Sequence, residues 1–246
     1  MNQIIRYTFF YALLAIAMGT VWAQGEPPYD GLKKCKSCHE SQYDSWLETD
    51  HGQAMKSLEP GEEVEAKEKA GLDPDEDYTE DPECVGCHVT GFRKDGGYEI
   101  DLSNRLKKYL QGVGCESCHG PGSRYKHNHK DAAKKFEESQ ETTSRQELAA
   151  IGQVFTDKEF EERCNACHLN YEGSPWPHAK EPYTPFTPEV DPKYEFNFEE
   201  AVHNDEAMHK HYKLEGVFSG DPVASFHEEF QKHAAPPQKK HHHHHH

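Results

Sequence analysis

All eight cysteines of this chain fall into four copies of one five-residue unit, Cys-x-x-Cys-His. The copies are Cys35-Lys36-Ser37-Cys38-His39, Cys84-Val85-Gly86-Cys87-His88, Cys115-Glu116-Ser117-Cys118-His119 and Cys164-Asn165-Ala166-Cys167-His168. In such a unit two thiols add across the vinyl groups of a haem, and the imidazole that follows is held beneath the iron as its proximal ligand. Paired cysteines also serve zinc knuckles, thioredoxin-like redox pairs and structural disulfides. None of those needs a histidine directly after every second cysteine, and none has a reason to repeat one unit four times. The residues therefore point to four covalently attached haem c groups, with His39, His88, His119 and His168 as proximal iron ligands.

The sixth position on each iron separates a carrier from a catalyst. A second histidine there gives a low-spin transfer haem, and an empty position can bind a small molecule. Outside the motifs and the terminal His241–His246 run, which reads as a purification tag, nine histidines remain: His51, His127, His129, His178, His203, His209, His211, His227 and His233. Counting does not choose among them. Met55 and Met208 are read as packing residues.

The elements that must position these groups read as helices joined by long connections. Residues 62–70, 131–153 and 198–212 are rich in helix formers and free of Pro, with Gly152 the one glycine among them. Residues 96–100 suggest a small hairpin, and the Pro-rich run 174–192 is expected to lie extended across the surface or over a cofactor. First cysteines of successive motifs are 49, 31 and 49 residues apart, which hints at a duplicated two-haem half. Only 34% of residues are hydrophobic, 29% are charged, and mean hydropathy is −1.00. That is thin material for a core, and four porphyrins would supply the apolar surface the side chains lack. A formal charge of −17 argues against a nucleic-acid partner and favours a basic protein surface.

Residues 1–23, with one cation at Arg6, an apolar run and Ala23 before the expected cut, read as a secretory signal too short to span a bilayer. The layout is then a cleaved signal at 1–23, a cytochrome domain at 24–233, a disordered tail at 234–240 and the tag at 241–246. Haem is ligated to such motifs outside the inner membrane, so the expected location is the periplasm, with no transmembrane segment in the mature chain.

Beyond the motifs, the flanks Gly112-Val113-Gly114 and Gly120-Pro121-Gly122, the run from His168 through Tyr171-Glu172-Gly173-Ser174-Pro175-Trp176, Tyr183-Thr184-Pro185-Phe186-Thr187-Pro188 and His211-Tyr212-Lys213-Leu214-Glu215-Gly216 resemble the tetrahaem cytochrome c-554 family of ammonia-oxidising bacteria. The likeness covers residues 28 to 230. It implies a mainly α fold with little regular β structure, helices and long loops wrapped around four covalently bound haems in stacked pairs. It also implies that three irons carry two histidines and the second is five-coordinate, with distal ligands at His51, His129 and His209; His127 and His211 are near neighbours that could displace them.

A run of 12 helical residues advances about 18 Å in one direction, so His51 is not expected to return to His39. A crossed arrangement is expected instead, with His51 serving the third haem and His129 the first. The open iron on His88 is then covered by Thr184-Pro185-Phe186, with Phe186 either shielding the pocket or simply packing. The resemblance implies a carrier that takes electrons from a multihaem hydroxylamine-oxidising enzyme and passes them toward the quinone pool or a smaller cytochrome, in nitrification. The alternative is a reductase of nitric oxide or a related nitrogen oxide at the second haem. The family's best-known member is basic and this chain is acidic, so docking to an acidic enzyme would need a local basic patch around Lys33, Lys34 and Lys36, or a different donor.

Overall fold

The computed structural model describes residues 25–214 and 216–236. Within them the chain runs through short helices: α1 (Leu32–Lys36), α2 (Glu40–Trp46), α3 (Val64–Lys69), α4 (Asn104–Lys107), α5 (Cys115–His119), α6 (Tyr125–Ser139), α7 (Arg145–Ala149), α8 (Asp157–His168), α9 (Phe198–Ala201) and α10 (His227–His233). Single 3₁₀ turns lie at Lys56–Leu58, Val85–Cys87 and Pro192–Tyr194. Regular β structure among the described residues is one parallel pair, β1 (Thr143–Ser144) with β2 (Phe218–Ser219), in the register Thr143 to Phe218.

The motifs sit where helix geometry sets their side chains. The third motif is itself helix α5, and the fourth forms the last turn of α8. That helix starts on a capping box: Thr156 accepts from the Glu159 amide while the Glu159 carboxylate accepts from the Thr156 amide at 3.0 Å. The first motif begins in α1 and ends at His39, directly before α2; the second lies on a 3₁₀ turn. Helix α1 packs against α2 and α5, and α5 against α8.

The side-chain core is small and gathers on one side, around the second motif. Leu58, Tyr78, Val85, Val89, Tyr98 and Leu110 form one buried cluster, with Val85 and Tyr98 almost fully enclosed. Elsewhere the motif cysteines are half-buried or, at Cys38, exposed.

Three expectations change in detail. The helix read over 131–153 starts earlier, at Tyr125, and stops at Ser139, where Gln140 takes a left-handed conformation at φ 59°. Residues 143–144 extend instead to pair with β2, and Ser144 caps α7 by accepting from the Gln146 amide. The helix read over 198–212 is confined to Phe198–Ala201, because Asn204 turns its side chain onto the Glu206 amide, a local bond that competes with helix. Residues 96–100 close back on 90–93 through backbone bonds without forming a strand.

Residues 174–191 contain no helix, as the prolines require. Residues 234–236, read from sequence as the start of a tail, pair with the 211–213 segment through Lys213 N–H to Ala235 O and Ala235 N–H to His211 O, and Ala234 is buried. The sequence readings of residues 1–23, 237–240 and 241–246 lie outside the described residues.

Candidate functional site

The thiols of the four motifs approach one another in two pairs. The Cys35 and Cys115 thiols lie within hydrogen-bond reach, as do those of Cys87 and Cys167. First therefore meets third and second meets fourth through their thiols, and the third also meets the fourth where α5 packs on α8 and Arg163 donates to Ser117 O. Burial pushes the Cys84 and Cys164 thiols up to about 11 and Cys118 up to about 12. These sulfurs are neutral thiols at neutral pH, unlike the thiolates of a redox pair.

The first–third junction is tied by Glu116, an intervening residue of the third motif that is only 1% exposed. Its carboxylate accepts from the amides of Gly31 at 2.7 Å, Asp30 at 2.9 Å and Gly122 at 2.6 Å. Burial pushes its pKa up while the three amides pull it down. The bonds fasten α5 to the chain entering α1, so one charged side chain sets the distance between two motifs.

Two proximal histidines face a second imidazole. The ring centroids of His119 and His209 are 6.3 Å apart, and those of His51 and His168 are 6.0 Å apart. An iron with a nitrogen about 2.0 Å away on each side needs roughly 6 Å between ring centres. Both gaps fit a metal held between two imidazoles, and the donor set suits a haem iron. His51 thus stands opposite the histidine of the fourth motif, where the crossed arrangement put it opposite the third.

The reason lies in bonds distant in sequence. Val113 N–H donates to His51 O, Asp50 N–H to Glu206 O, and Lys210 N–H to Ser45 Oγ, drawing 50–51 and 206–210 together behind the third and fourth motifs. Gly112 sits at this junction with φ +81°, where a Cβ would come within 2.9 Å of the Trp46 ring and 3.0 Å of His51 O, so only glycine fits.

His129 lies on α6 between the rings of Tyr125 and Phe218, 5.2 and 5.1 Å away. Its Nε2 is 2.6 Å from Gln153 Oε1, which leaves Nδ1 as the free nitrogen. His39 and His129 both lie close enough to His119 to help lower its pKa, so these two histidines belong to the same side of the molecule. His211 lies 4.0 Å from the Phe230 ring and 5.4 Å from His209, and is not the ring that faces His119.

Burial lowers the pKa of His51, His88, His129 and His209, and takes His119 to about 3 and His168 to about 4. All are neutral imidazoles near pH 7, the form that ligates metal.

His88 is built differently. Its Nδ1 is 2.7 Å from Ala54 O and 3.2 Å from Ser57 Oγ, which turns Nε2 the other way. Gly112 N–H donates to its carbonyl at 3.0 Å. Among the described residues no second histidine ring stands against it.

The Pro-rich run is pinned by Asn170, two residues past the fourth motif. Its side chain donates to Pro182 O at 2.8 Å and accepts from the Lys180 amide at 2.7 Å, and its carbonyl accepts from Thr184 N–H. Phe186 follows this clamp and packs edge-on against Tyr194 at 5.5 Å. His168 stacks on Phe196 at 4.7 Å, and Phe160 stands edge-on to His119 at 5.9 Å. Phe196, Phe160, Gln153, Ala54 and Ser57 carry no motif; each reaches its histidine from another part of the chain. Glu116 was visible as a charge inside a haem unit, though its partners were not.

A helical chain that gathers four Cys-x-x-Cys-His units in two adjoining pairs, with imidazoles opposed across metal-sized gaps, is a multihaem c-type cytochrome. The family model described as cytochrome c554 and c-prime matches residues 34–120. Cytochrome c-554 of Nitrosomonas europaea is 55% identical over 225 residues, covering 92% of this chain and 93% of that protein. A solved structure of the reduced state of cytochrome c554 from N. europaea superposes with a TM-score of 0.82 at 57% identity, covering 86% of this chain and 99% of that one. The chain belongs to the cytochrome c-554 family and is an electron-transfer cytochrome with covalent haem c. No helix among the described residues is long and apolar enough to cross a membrane.

Proposed function

We propose that this chain is a periplasmic tetrahaem carrier, taking electrons from a multihaem hydroxylamine-oxidising enzyme and passing them to a smaller cytochrome or a quinone-reducing acceptor. The observation that carries the reading is the pair of opposed imidazoles, His119 with His209 at 6.3 Å and His51 with His168 at 6.0 Å, each behind a complete attachment motif. Four bound haems supply one-electron storage and transfer.

The cysteines of the four motifs would hold the groups covalently, and His39, His88, His119 and His168 would serve as proximal ligands. With haem bound, His209 would serve as the second ligand of the third iron and His51 that of the fourth. His129 is left for the first, offering Nδ1 because Gln153 engages Nε2. Rigid backbone ties at Glu116 and Gly112 keep the centres at fixed separations, which limits reorganisation when charge moves. Export agrees with the 1–23 segment and with where haem is attached to such motifs.

A second reading, reduction of nitric oxide or a related nitrogen oxide at the second motif, is favoured by the missing opposite imidazole at His88. Phe186 is the residue offered to cover that side. The two readings separate by experiment. The haem-loaded protein is titrated with dithionite and then mixed with nitric oxide under a steady electron supply. A carrier takes up four electrons per chain and reacts at most stoichiometrically; sustained turnover lost in Cys84→Ala/Cys87→Ala would replace the carrier reading with the enzyme.

A further inference from the structure

Lys33, Lys34, Arg93, Lys94, Arg105 and Lys108 line one open groove of about 970 Å³, and all six are exposed. Asp30, Asp95 and Glu99 share it, leaving an excess of three positive charges on a chain whose formal charge is −17. Asp30 is also paired with Lys126, outside the groove. The Lys94–Glu26 contact, 3.4 Å with both side chains about half exposed, neutralises little in water.

No cysteine or histidine lines the groove, so it is not a haem site. Its wall nevertheless includes Lys33 and Lys34 of α1, the helix that carries Cys35 of the first motif. Leu32 N–H donates to Tyr109 O at 2.9 Å and joins that wall to the floor. The Lys33 and Lys108 ammonium groups stand 5.7 and 4.9 Å from the Tyr109 ring, and Leu106 is 49% exposed beside them. Lys36 turns away to the Tyr43 ring at 4.3 Å. The patch expected at Lys33, Lys34 and Lys36 therefore gives up one cation and gains four from residues 93–108.

We propose that this groove is the docking surface for an acidic redox-protein partner, and that it selects the first haem as the point of electron exchange. The proposal rests on the carrier reading. An acidic partner is repelled by the chain as a whole and attracted at this face, so long-range charge steers it to an approach that ends beside Cys35. A small anion is a poorer match, because the cations are spread along an open groove with no buried donor to fix a ligand. An anionic lipid surface would use the same charges, but gains nothing from their position beside a redox centre.

The test uses the full, haem-loaded chain and a gold electrode coated with a carboxylate-terminated monolayer as the acidic surface. The wild-type protein is expected to adsorb and exchange electrons at about 10 mM salt, and to lose about tenfold of that signal at about 500 mM. Lys33→Glu/Lys108→Glu should lose about tenfold at low salt, while the charge-matched Lys134→Glu/Lys135→Glu on α6 keeps the signal. Unchanged absorbance and circular dichroism check that both variants fold.

Exchange only on an ammonium-terminated monolayer, or equal loss from both variants, would overturn the proposal. So would groove-dependent binding to phosphatidylglycerol vesicles without signal on the carboxylate surface, which would make the face a lipid contact. Haems that neither reduce with dithionite nor reoxidise in free solution would instead overturn the carrier reading, and the groove's role with it.

Discussion

His88 and His119 end the same five-residue unit, yet their neighbourhoods are opposites. His119 lies among imidazoles, with His209 opposite at 6.3 Å and His39, His129 and His211 near enough to help hold its pKa down. His88 is backed by a backbone carbonyl and a serine, next to the chain's apolar cluster, with no imidazole across from it among the described residues. The motif fixes attachment and the proximal ligand alone. What an iron can do next depends on what the rest of the chain brings to its other face, and here one motif histidine faces a second imidazole while another does not among the described residues.

The largest expected effect lies on the His119 side. Glu116→Ala leaves the amides of Asp30, Gly31 and Gly122 without their acceptor. At about 1 kcal/mol or more for each buried donor, the loss is about 3 kcal/mol of stability, read by denaturant unfolding of the haem-loaded protein. Glu116→Gln, which keeps one carbonyl acceptor, should recover part of it; an Ala variant as stable as wild type would mean that the junction does not depend on this clamp.

A step smaller, His209→Ala should make the closed side resemble the open one by converting one low-spin iron to high spin, seen by electron paramagnetic resonance. His211→Ala should leave the spin count unchanged, because that ring faces Phe230. If the two substitutions exchanged effects, the ring pairing would be wrong.

The smallest effect sharpens the open side. Ser57 donates to Ala54 O at 2.7 Å, the same carbonyl that His88 Nδ1 approaches at 2.7 Å. Ser57→Ala leaves that acceptor to His88, makes the imidazole a stronger donor to metal, and lowers the potential of the high-spin haem by something on the order of tens of millivolts. Spectroelectrochemistry at the high-spin band checks it, and the three low-spin haems should not move.

The four Cys-x-x-Cys-His units stand out in the sequence because attachment chemistry is local: five adjacent residues contain all of it. The mainly helical fold was legible for a similar reason, although long helical runs were overread where Thr143 and Ser144 pair with β2 and where Asn204 turns the chain. The pairing of distal histidines was not legible. A helical-rise argument removes His39 as a partner for His51, but the approach of His51 to His168, 6.0 Å between ring centres, is a contact that no spacing encodes. The basic groove was half visible, since Lys33 and Lys34 stand together in sequence while Arg93, Lys94, Arg105 and Lys108 join them only through the fold.

The contrast between His88 and the two motif histidines that face a second imidazole, His119 and His168, is tested most directly by low-temperature electron paramagnetic resonance of the oxidised, haem-loaded protein, with haems counted by pyridine haemochrome. One high-spin iron beside three low-spin irons, the high-spin signal vanishing in Cys84→Ala/Cys87→Ala, is the predicted result. Four low-spin irons would mean that a ligand closes the His88 centre after all, and would contradict the account.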